Sequence, residues 1–440
     1  MASRRDTTGK SGKVRAPKGD NAVSPGLTAT MSPPQPAALI SAQEAVRRLG
    51  VKPATLYAYV SRGLLRSTGQ PGSRERRYYA QDVERLKRLP GNRRRPRPPI
   101  ASFDARTPIM DSAICLFESG RLYYRGVDAA ELAERSSLEE TARLLWQTET
   151  LGTFDVPGPT VPLRKWLKGL GPALSPIERA RSILVDLASR DLGALDISPE
   201  SVARTGGRLV AAIAAAITGI PTAGLPIHAE LASTWKLDSS GADLIRRCLV
   251  LCADHELNTP TYVARCVAST AASPYAAVIA ALGTLSGPRN GGQLSHVESM
   301  LRQLGDSQDI MTALASRLQR GEGIPGYGGE RFPGFGHPLY PDGDPRAVHI
   351  LDALSRSKPS RRSNAVLKIG RQVSQAVGRH PNNDFALSAV SFVLNLPPGS
   401  ALGVYLIGRT VGWIAHAIEQ YESGAHIRPR ARYVGIPPVG

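Results

Sequence analysis

Histidines, a carboxylate and several arginines stand at Gly- and Pro-rich breaks in this 440-residue chain, where side chains from separate segments can converge on one cleft. Asp254-His255-Glu256-Leu257-Asn258 ends one apolar-periodic run, and Gly287-Pro288-Arg289-Asn290-Gly291-Gly292 opens another. Phe332-Pro333-Gly334-Phe335-Gly336-His337 forms a loop leading to Asp344-Pro345-Arg346, and a further break reads Pro381-Asn382-Asn383-Asp384-Phe385. Arg409 lies on the last long apolar run, and Arg428 follows it. Together these groups offer a base, an acid and guanidinium forks for substrate carboxylates, the equipment of a carbonyl-addition enzyme.

The elements that must position them read as helices. From Asp111 onward the apolar spacing predicts an all-α body, with helices at 129–134, 137–147, 176–191, 206–217, 242–257, 262–270, 276–285, 293–304, 346–355, 364–377 and 405–421. Only 114–125 reads as a hairpin. His416 falls inside the last helix and is expected to pack there. His296 lies over one and a half turns from Asn290, at about 3.6 residues per turn, too far to replace it.

The N-terminal quarter differs in kind. Residues 1–100 hold 21 Lys and Arg against 6 Asp and Glu, so +15 of the chain's +18 net charge sits there. Such a leader points to a polyanion partner, with DNA the foremost candidate. Residues 1–37 lack the large apolar groups needed to offset ordering entropy and are expected to be disordered. Ser41 and Glu44 then give an S-x-x-E capping box for a short helix closed by Gly50. Pro53 starts a second helix that turns Leu56, Tyr59 and Val60 inward. Arg74, Arg76, Arg77, Tyr78 and Tyr79 suit a two-stranded wing, followed by a third helix over 80–89. Lys52, Thr55, Tyr57 and Arg62 on or beside the second helix, with Arg74, Arg76 and Arg77, are the expected DNA contacts. A Pro- and Arg-rich segment, 91–106, reads as a semi-rigid linker.

Four cysteines (Cys115, Cys248, Cys252, Cys266) suit a reducing compartment and imply neither a disulfide framework nor a metal site. The longest apolar run, 209–220, falls short of the roughly 20 residues that cross a bilayer. A cytoplasmic protein is expected.

Two resemblances rest on these residues. The segment 41–89, through GVKPATLYAYVSRGLLR and RRYYAQDVERL, resembles winged helix-turn-helix domains of the MerR and excisionase type. Residues 107–440 resemble citrate synthase through GRLYYRGVDAAELAERSSLEE, ADHELNTPTYVARCVAST, PGFGHPLYPDGDPRA, PNNDF, RTVGWIAHAIEQ and IRPRARYVG, in the family's order. That resemblance implies large and small helical domains, the small one inserted over about 287–400, and a homodimer closing on oxaloacetate and acetyl-CoA. It makes Asp384 the base, His337 the acid and His255 a keto-acid ligand. Arg346 and Arg409 become carboxylate ligands, with Arg428 reaching the site from the partner subunit. The loop Phe332, Pro333, Gly334, Phe335, Gly336, with Asn382, is assigned to coenzyme A. Neither a metal nor a resident cofactor is implied, acetyl-CoA being a co-substrate.

The chain departs from the family at Asn290, where citrate synthases carry a histidine that donates a hydrogen bond to the enol of the thioester. An amide can donate but cannot transfer a proton. Pro338 also stands where some relatives have Arg. Two readings follow: a condensing enzyme with weakened enol stabilisation, or a DNA-binding regulator that senses a dicarboxylate or acyl-CoA in the same pocket.

Overall fold

The computed structural model describes residues 39–49, 51, 53, 56, 59–60, 65–69, 76–88, 110–149, 154, 160–169, 174–287, 290–305, 312, 316, 332–432 and 435. Contacts divide the chain into two compact units, 1–100 and 101–440.

In the first unit, β1 (Leu39–Ser41) leads into α1 (Ala42–Leu49), and β2 (Ser67–Gly69) and β3 (Arg76–Tyr79) precede α2 (Ala80–Arg88). The three strands form an antiparallel sheet in the order β1-β3-β2. The expected wing is thus the pair β2-β3, with β1 added on the other side of β3. Ser41 Oγ accepts from the Glu44 N–H at 3.2 Å, and Leu56 is buried with Ala45, Leu49, Leu65, Tyr78 and Val83. Pro53, Leu56, Tyr59 and Val60 have helical backbone, as the sequence predicts. Asp82, nearly fully buried, accepts from the backbone and guanidinium of Arg66, which ties α2 to the start of the wing. Arg76 and Arg77 are exposed, whereas Lys52, Thr55, Tyr57, Arg62 and Arg74 lie outside the described residues, as do Gly50, the expected tail and the linker.

The second unit opens with a meander of β4 (Cys115–Glu118), β5 (Arg121–Tyr124) and β6 (Val127–Asp128), one short strand more than the expected hairpin. Helices then follow: α3 (Ala129–Arg135), α4 (Leu138–Trp146), α5 (Thr160–Gly169), α6 (Pro176–Ala188), α7 (Pro199–Thr218), α8 (Ile227–Thr234), α9 (Ser239–Leu251), α10 (Thr259–Ala268), α11 (Pro274–Leu285) and α12 (Gly291–Gly305). The last four are α13 (Pro345–Ser357), α14 (Arg361–Val377), α15 (Asn383–Val393) and α16 (Ser400–Ser423). Among the described residues this unit is all-α apart from the meander and one isolated antiparallel bridge between Phe335 and Pro381. One apolar core runs through the unit, with α16 at its centre against α4, α7, α9, α10 and α15. α16 is long and apolar enough to cross a membrane, which the reading of 209–220 as the longest apolar stretch overlooked; 94% of its apolar window is buried in the fold, so it is a core helix.

Two breaks differ from expectation, and both differences place the site. The helix predicted to run through Leu257 stops at Leu251, because Asp254 Oδ1 accepts from the Glu256 N–H at 2.9 Å and Asn258 caps α10 by accepting from the Thr261 N–H at 3.1 Å. These side chains offer the backbone partners that compete with helix continuation. Conversely, Asp384 stands inside a helix: Asn382 caps α15 by accepting from the Asp384 and Phe385 N–H groups at 3.1 and 3.3 Å.

Candidate active site

His255 follows the end of α9, and the meander fixes it there. The Tyr124 hydroxyl lies 3.1 Å from the carbonyls of Leu251 and Asp254 and accepts from the Asp254 N–H at 3.2 Å. On the opposite side α16 comes close because residue 412 is glycine; a Cβ there would meet the Ala253 carbonyl at 2.3 Å. His255 packs edge-on against Phe117 and perpendicular to His337, with ring centroids 4.8 and 4.9 Å apart. Its Nε2 is 3.2 Å from the Tyr340 hydroxyl. Burial, reinforced by Arg346, His337 and Arg409, pushes His255 well below the usual imidazole range, so it is neutral at pH 7.

His337 ends the Gly-rich loop. Its Nδ1 accepts from the Leu339 N–H at 3.2 Å, so in the neutral ring the proton resides on Nε2. The loop is held against the start of α15: the Gly336 N–H donates to the His380 carbonyl at 2.7 Å, the Asn382 N–H to the Gly334 carbonyl at 2.8 Å, and Asn382 Nδ2 to the Gly336 carbonyl at 3.1 Å. Gly334 has φ +82°, and a Cβ there would sit 3.1 Å from Val297 and 3.2 Å from Phe385. Only glycine meets both demands. Phe335 fills the space beneath, 5.0 Å from the Phe385 ring centroid.

Asp384 is the second residue of α15. Burial pushes its carboxyl up to about 6, against the pull of the nearby Arg346 charge and with a further push from Asp344. A carboxylate near 6 is charged at neutral pH yet more basic than an exposed aspartate, as proton abstraction requires.

The two arginines are prepared differently. Arg346, buried on α13, forks onto Asp344, with Nε to Oδ1 at 3.0 Å and Nη2 to Oδ2 at 2.7 Å. Arg409 on α16 is completely buried, and none of its three guanidinium nitrogens has a hydrogen-bond partner among the described residues. Asp254 Oδ2 stands 3.7 Å from its Nη1 and 3.3 Å from His416 Nε2. His416 Nδ1 accepts from Arg265 at 3.1 Å, so this histidine is packed inside α16 as expected, behind the site. A buried guanidinium with unused donors is complementary to a carboxylate that is not part of the protein.

His255, Asn290, His337, Arg346, Asp384 and Arg409 line one cavity of about 550 Å³, and Phe332 to Gly336 with Asn382 form another part of its wall. Asn290 is half-buried at the approach to α12, where its carbonyl accepts from the Gln293 N–H at 3.0 Å. His296 is exposed and outside this wall. Arg428 is exposed beyond α16 and also outside it. Sequence reasoning passed over Asp344 and Asp254, the buried counter-charges of the arginines. Asp344 had a readable signal: an aspartate before Pro at the first helical position is a helix cap.

A helical unit gathers a neutral histidine, a raised carboxylate and two buried arginines around one cleft, a set complementary to a carboxylate-bearing ligand. Residues 104–430 match the family model described as citrate synthase, C-terminal domain, and the chain belongs to that family. Residues 40–90 match the MerR HTH family regulatory protein model. Citrate synthase 2 of Bacillus subtilis is 28% identical over 354 residues, covering 71% of this chain and 90% of the relative. The 2-methylcitrate synthase 1 of Corynebacterium glutamicum is also 28% identical, covering 72% and 90%. The fold is that of the Thermoplasma acidophilum citrate synthase, solved as a ternary complex with carboxymethyl coenzyme A and oxaloacetate, at a TM-score of 0.61 and 21% identity over 76% of this chain and 96% of that one. Citrate synthases hold no permanent cofactor; the coenzyme A thioester is a substrate.

Proposed function

We propose that the chain condenses acetyl-CoA, or another short acyl-CoA, with oxaloacetate to give citrate, or its alkyl homologue, and coenzyme A. The observation that carries this reading is the convergence of Asp384, His337, His255, Arg346 and Arg409 on one cavity. In this reading Arg346 and Arg409 grip the dicarboxylate and neutral His255 orients its keto group. Asp384 takes a proton from the carbon beside the thioester carbonyl, while the Asn290 amide donates to the developing enol oxygen. The carbon–carbon bond then forms, and His337 gives its Nε2 proton to the ketone oxygen. Water cleaves the resulting thioester, releasing coenzyme A. Phe332 to Gly336 and Asn382 are assigned to the adenine end of coenzyme A. Residues from about 287 to 400 act as a small domain closing over the site, and Arg428 completes it from the partner subunit of a homodimer.

The MerR match favours a second role for the N-terminal region, residues about 38–90. We infer that it binds DNA through Lys52, Thr55, Tyr57, Arg62 and Arg74, with the exposed Arg76 and Arg77, in a cytoplasmic protein. Thiol release from acetyl-CoA with oxaloacetate, at high protein concentration and with Asn290→His alongside, tests the enzyme reading. No turnover in either protein sinks it; the alternative, a DNA-binding regulator, requires DNA binding that responds to citrate or acyl-CoA.

A further inference from the structure

We propose that Asp344 is a positioning residue of this site, whose one buried carboxylate sets the fork of Arg346 and the first turn of α15 as a single unit. The inference rests on the reading of Arg346 as a carboxylate ligand and Asp384 as the base.

Asp344 is 1% exposed and caps α13. Its Oδ1 accepts from the Arg346 N–H at 3.1 Å and from Arg346 Nε at 3.0 Å. Its Oδ2 accepts from Arg346 Nη2 at 2.7 Å and from the Asn383 N–H at 3.0 Å. These four bonds use the four lone-pair positions of a carboxylate. Burial opposes the charge on Asp344, yet Arg346 holds its carboxyl below the usual range. The consequences meet at Asp384. Asn383 is the first residue of α15 and Asp384 the second, so the bond to Asn383 fixes the turn that carries the base. The bonds to Nε and Nη2 leave Nη1 without a bond to Asp344 and hold the guanidinium in place at the cavity wall, which lowers the ordering cost of ligand binding.

The charge matters as well as the geometry. The groups bearing on Asp384 are Arg346 and Asp344, with Cys252 on the segment after α9 and Tyr405 on α16 also coupled to it. Burial does most of the raising of Asp384; Arg346 pulls it down, and Asp344 offsets part of that pull. Nothing else charged among these four groups does so.

The test uses the full chain with ¹³C-labelled aspartate carboxyls, the Asp384 signal being assigned by its loss in Asp384→Asn. In wild type the signal titrates near 6. In Asp344→Asn it moves down by about one pH unit, because a like charge is lost and Arg346 is unmasked, and oxaloacetate binding weakens by about tenfold or more as Arg346 loses its fork. Asp344→Glu keeps the charge, so its titration stays near the wild-type value while binding still weakens. An unchanged or raised titration in folded Asp344→Asn overturns the proposal. Should Asp344→Asn not fold, Asp344→Glu decides: its longer carboxylate cannot hold Arg346 and the Asn383 N–H in the same register, so oxaloacetate binding unchanged from wild type refutes the positioning role. The titration needs no turnover, so an inactive wild type would refute the condensing reaction and leave this result standing.

Discussion

Arg409→Lys separates binding from folding. The Arg409 guanidinium makes no hydrogen bond among the described residues, and its charge faces Asp254 at 3.7 Å. Lysine keeps the charge beside Asp254 and loses no existing hydrogen bond. The unfolding free energy is therefore expected to change by less than about 1.5 kcal/mol, chiefly from lost packing over Tyr405. A dicarboxylate, in contrast, loses the two-pronged grip of a planar fork and keeps a single point charge. One charge-assisted hydrogen bond contributes about 1.5–3 kcal/mol, so oxaloacetate affinity is expected to fall by roughly 10- to 150-fold. Calorimetric titration with oxaloacetate gives the affinity, and urea unfolding of the empty protein gives the stability. Equal affinity in both proteins would refute the assignment of Arg409 as ligand. A stability loss as large as the binding loss would refute the claim that its donors are held in reserve.

The remaining predictions concern the base, the departure, the loop and the N-terminal domain. With Asp384 at about 6, kcat/KM falls as pH drops through 6, because the base must be charged, and the limb disappears in Asp384→Asn together with turnover. The sign for stability is opposite: a folded value raised above the ordinary aspartate value favours the fold below about pH 4, and that contribution is lost as pH rises through 6. Asp384→Asn is thus expected to be more stable than wild type at pH 8 by up to about 3 kcal/mol, less what the α15 N-terminus gives the charged form, and no more stable at pH 4; chemical unfolding at the two pH values measures it. Asn290→His restores a donor able to support enol formation and is expected to raise kcat towards the hundred- to thousandfold typical of one oxyanion donor, measured by thiol release. Gly334→Ala forces an alanine to φ +82° against Val297 and Phe385, at a cost of about 1–3 kcal/mol, and is expected to weaken coenzyme A binding more than oxaloacetate binding. DNA retention by the full chain is expected to fall with salt at a log–log slope near −5 for about six phosphate contacts, and replacing Arg76 and Arg77 with Ala would lower that slope by about two.

Which parts were legible in the sequence follows from which signals are local. The all-α body and the wing could be read from spacing, and His255, Asn290, His337, Arg346, Asp384, Arg409, Phe332 to Gly336 and Asn382 on the cavity wall from motif and resemblance, whereas wall residues such as Tyr262, Leu402 and Tyr405 carried no local signal. Helix limits failed where tertiary or capping bonds decide them. His255 escaped its predicted helix because Asp254 and Asn258 redirect the backbone. α15 was read as a break because its sequence is apolar on nearly all faces and shows no 3.6-residue stripe, the mark of a fully buried helix. α5 carries Pro162 near its start, which reads as a breaker although the first turn tolerates it, and α8 is only eight residues long. Asp344 and Asp254 could not be ranked by sequence, since their importance lies in burial against Arg346 and Arg409, a property of packing. For Arg428 the sequence supplies a motif, while among the described residues it is exposed and outside the cavity wall.

The central claim is that this cavity joins a short acyl-CoA to oxaloacetate. Incubating the protein with oxaloacetate and acetyl-CoA labelled with ¹³C in its methyl group, and following the products by mass spectrometry, tests it most directly. Labelled citrate formed by wild type, increased in Asn290→His and absent in Asp384→Asn, is the predicted result. Unlabelled products from all three proteins, at oxaloacetate and acetyl-CoA concentrations that calorimetry shows to saturate the site, would contradict it.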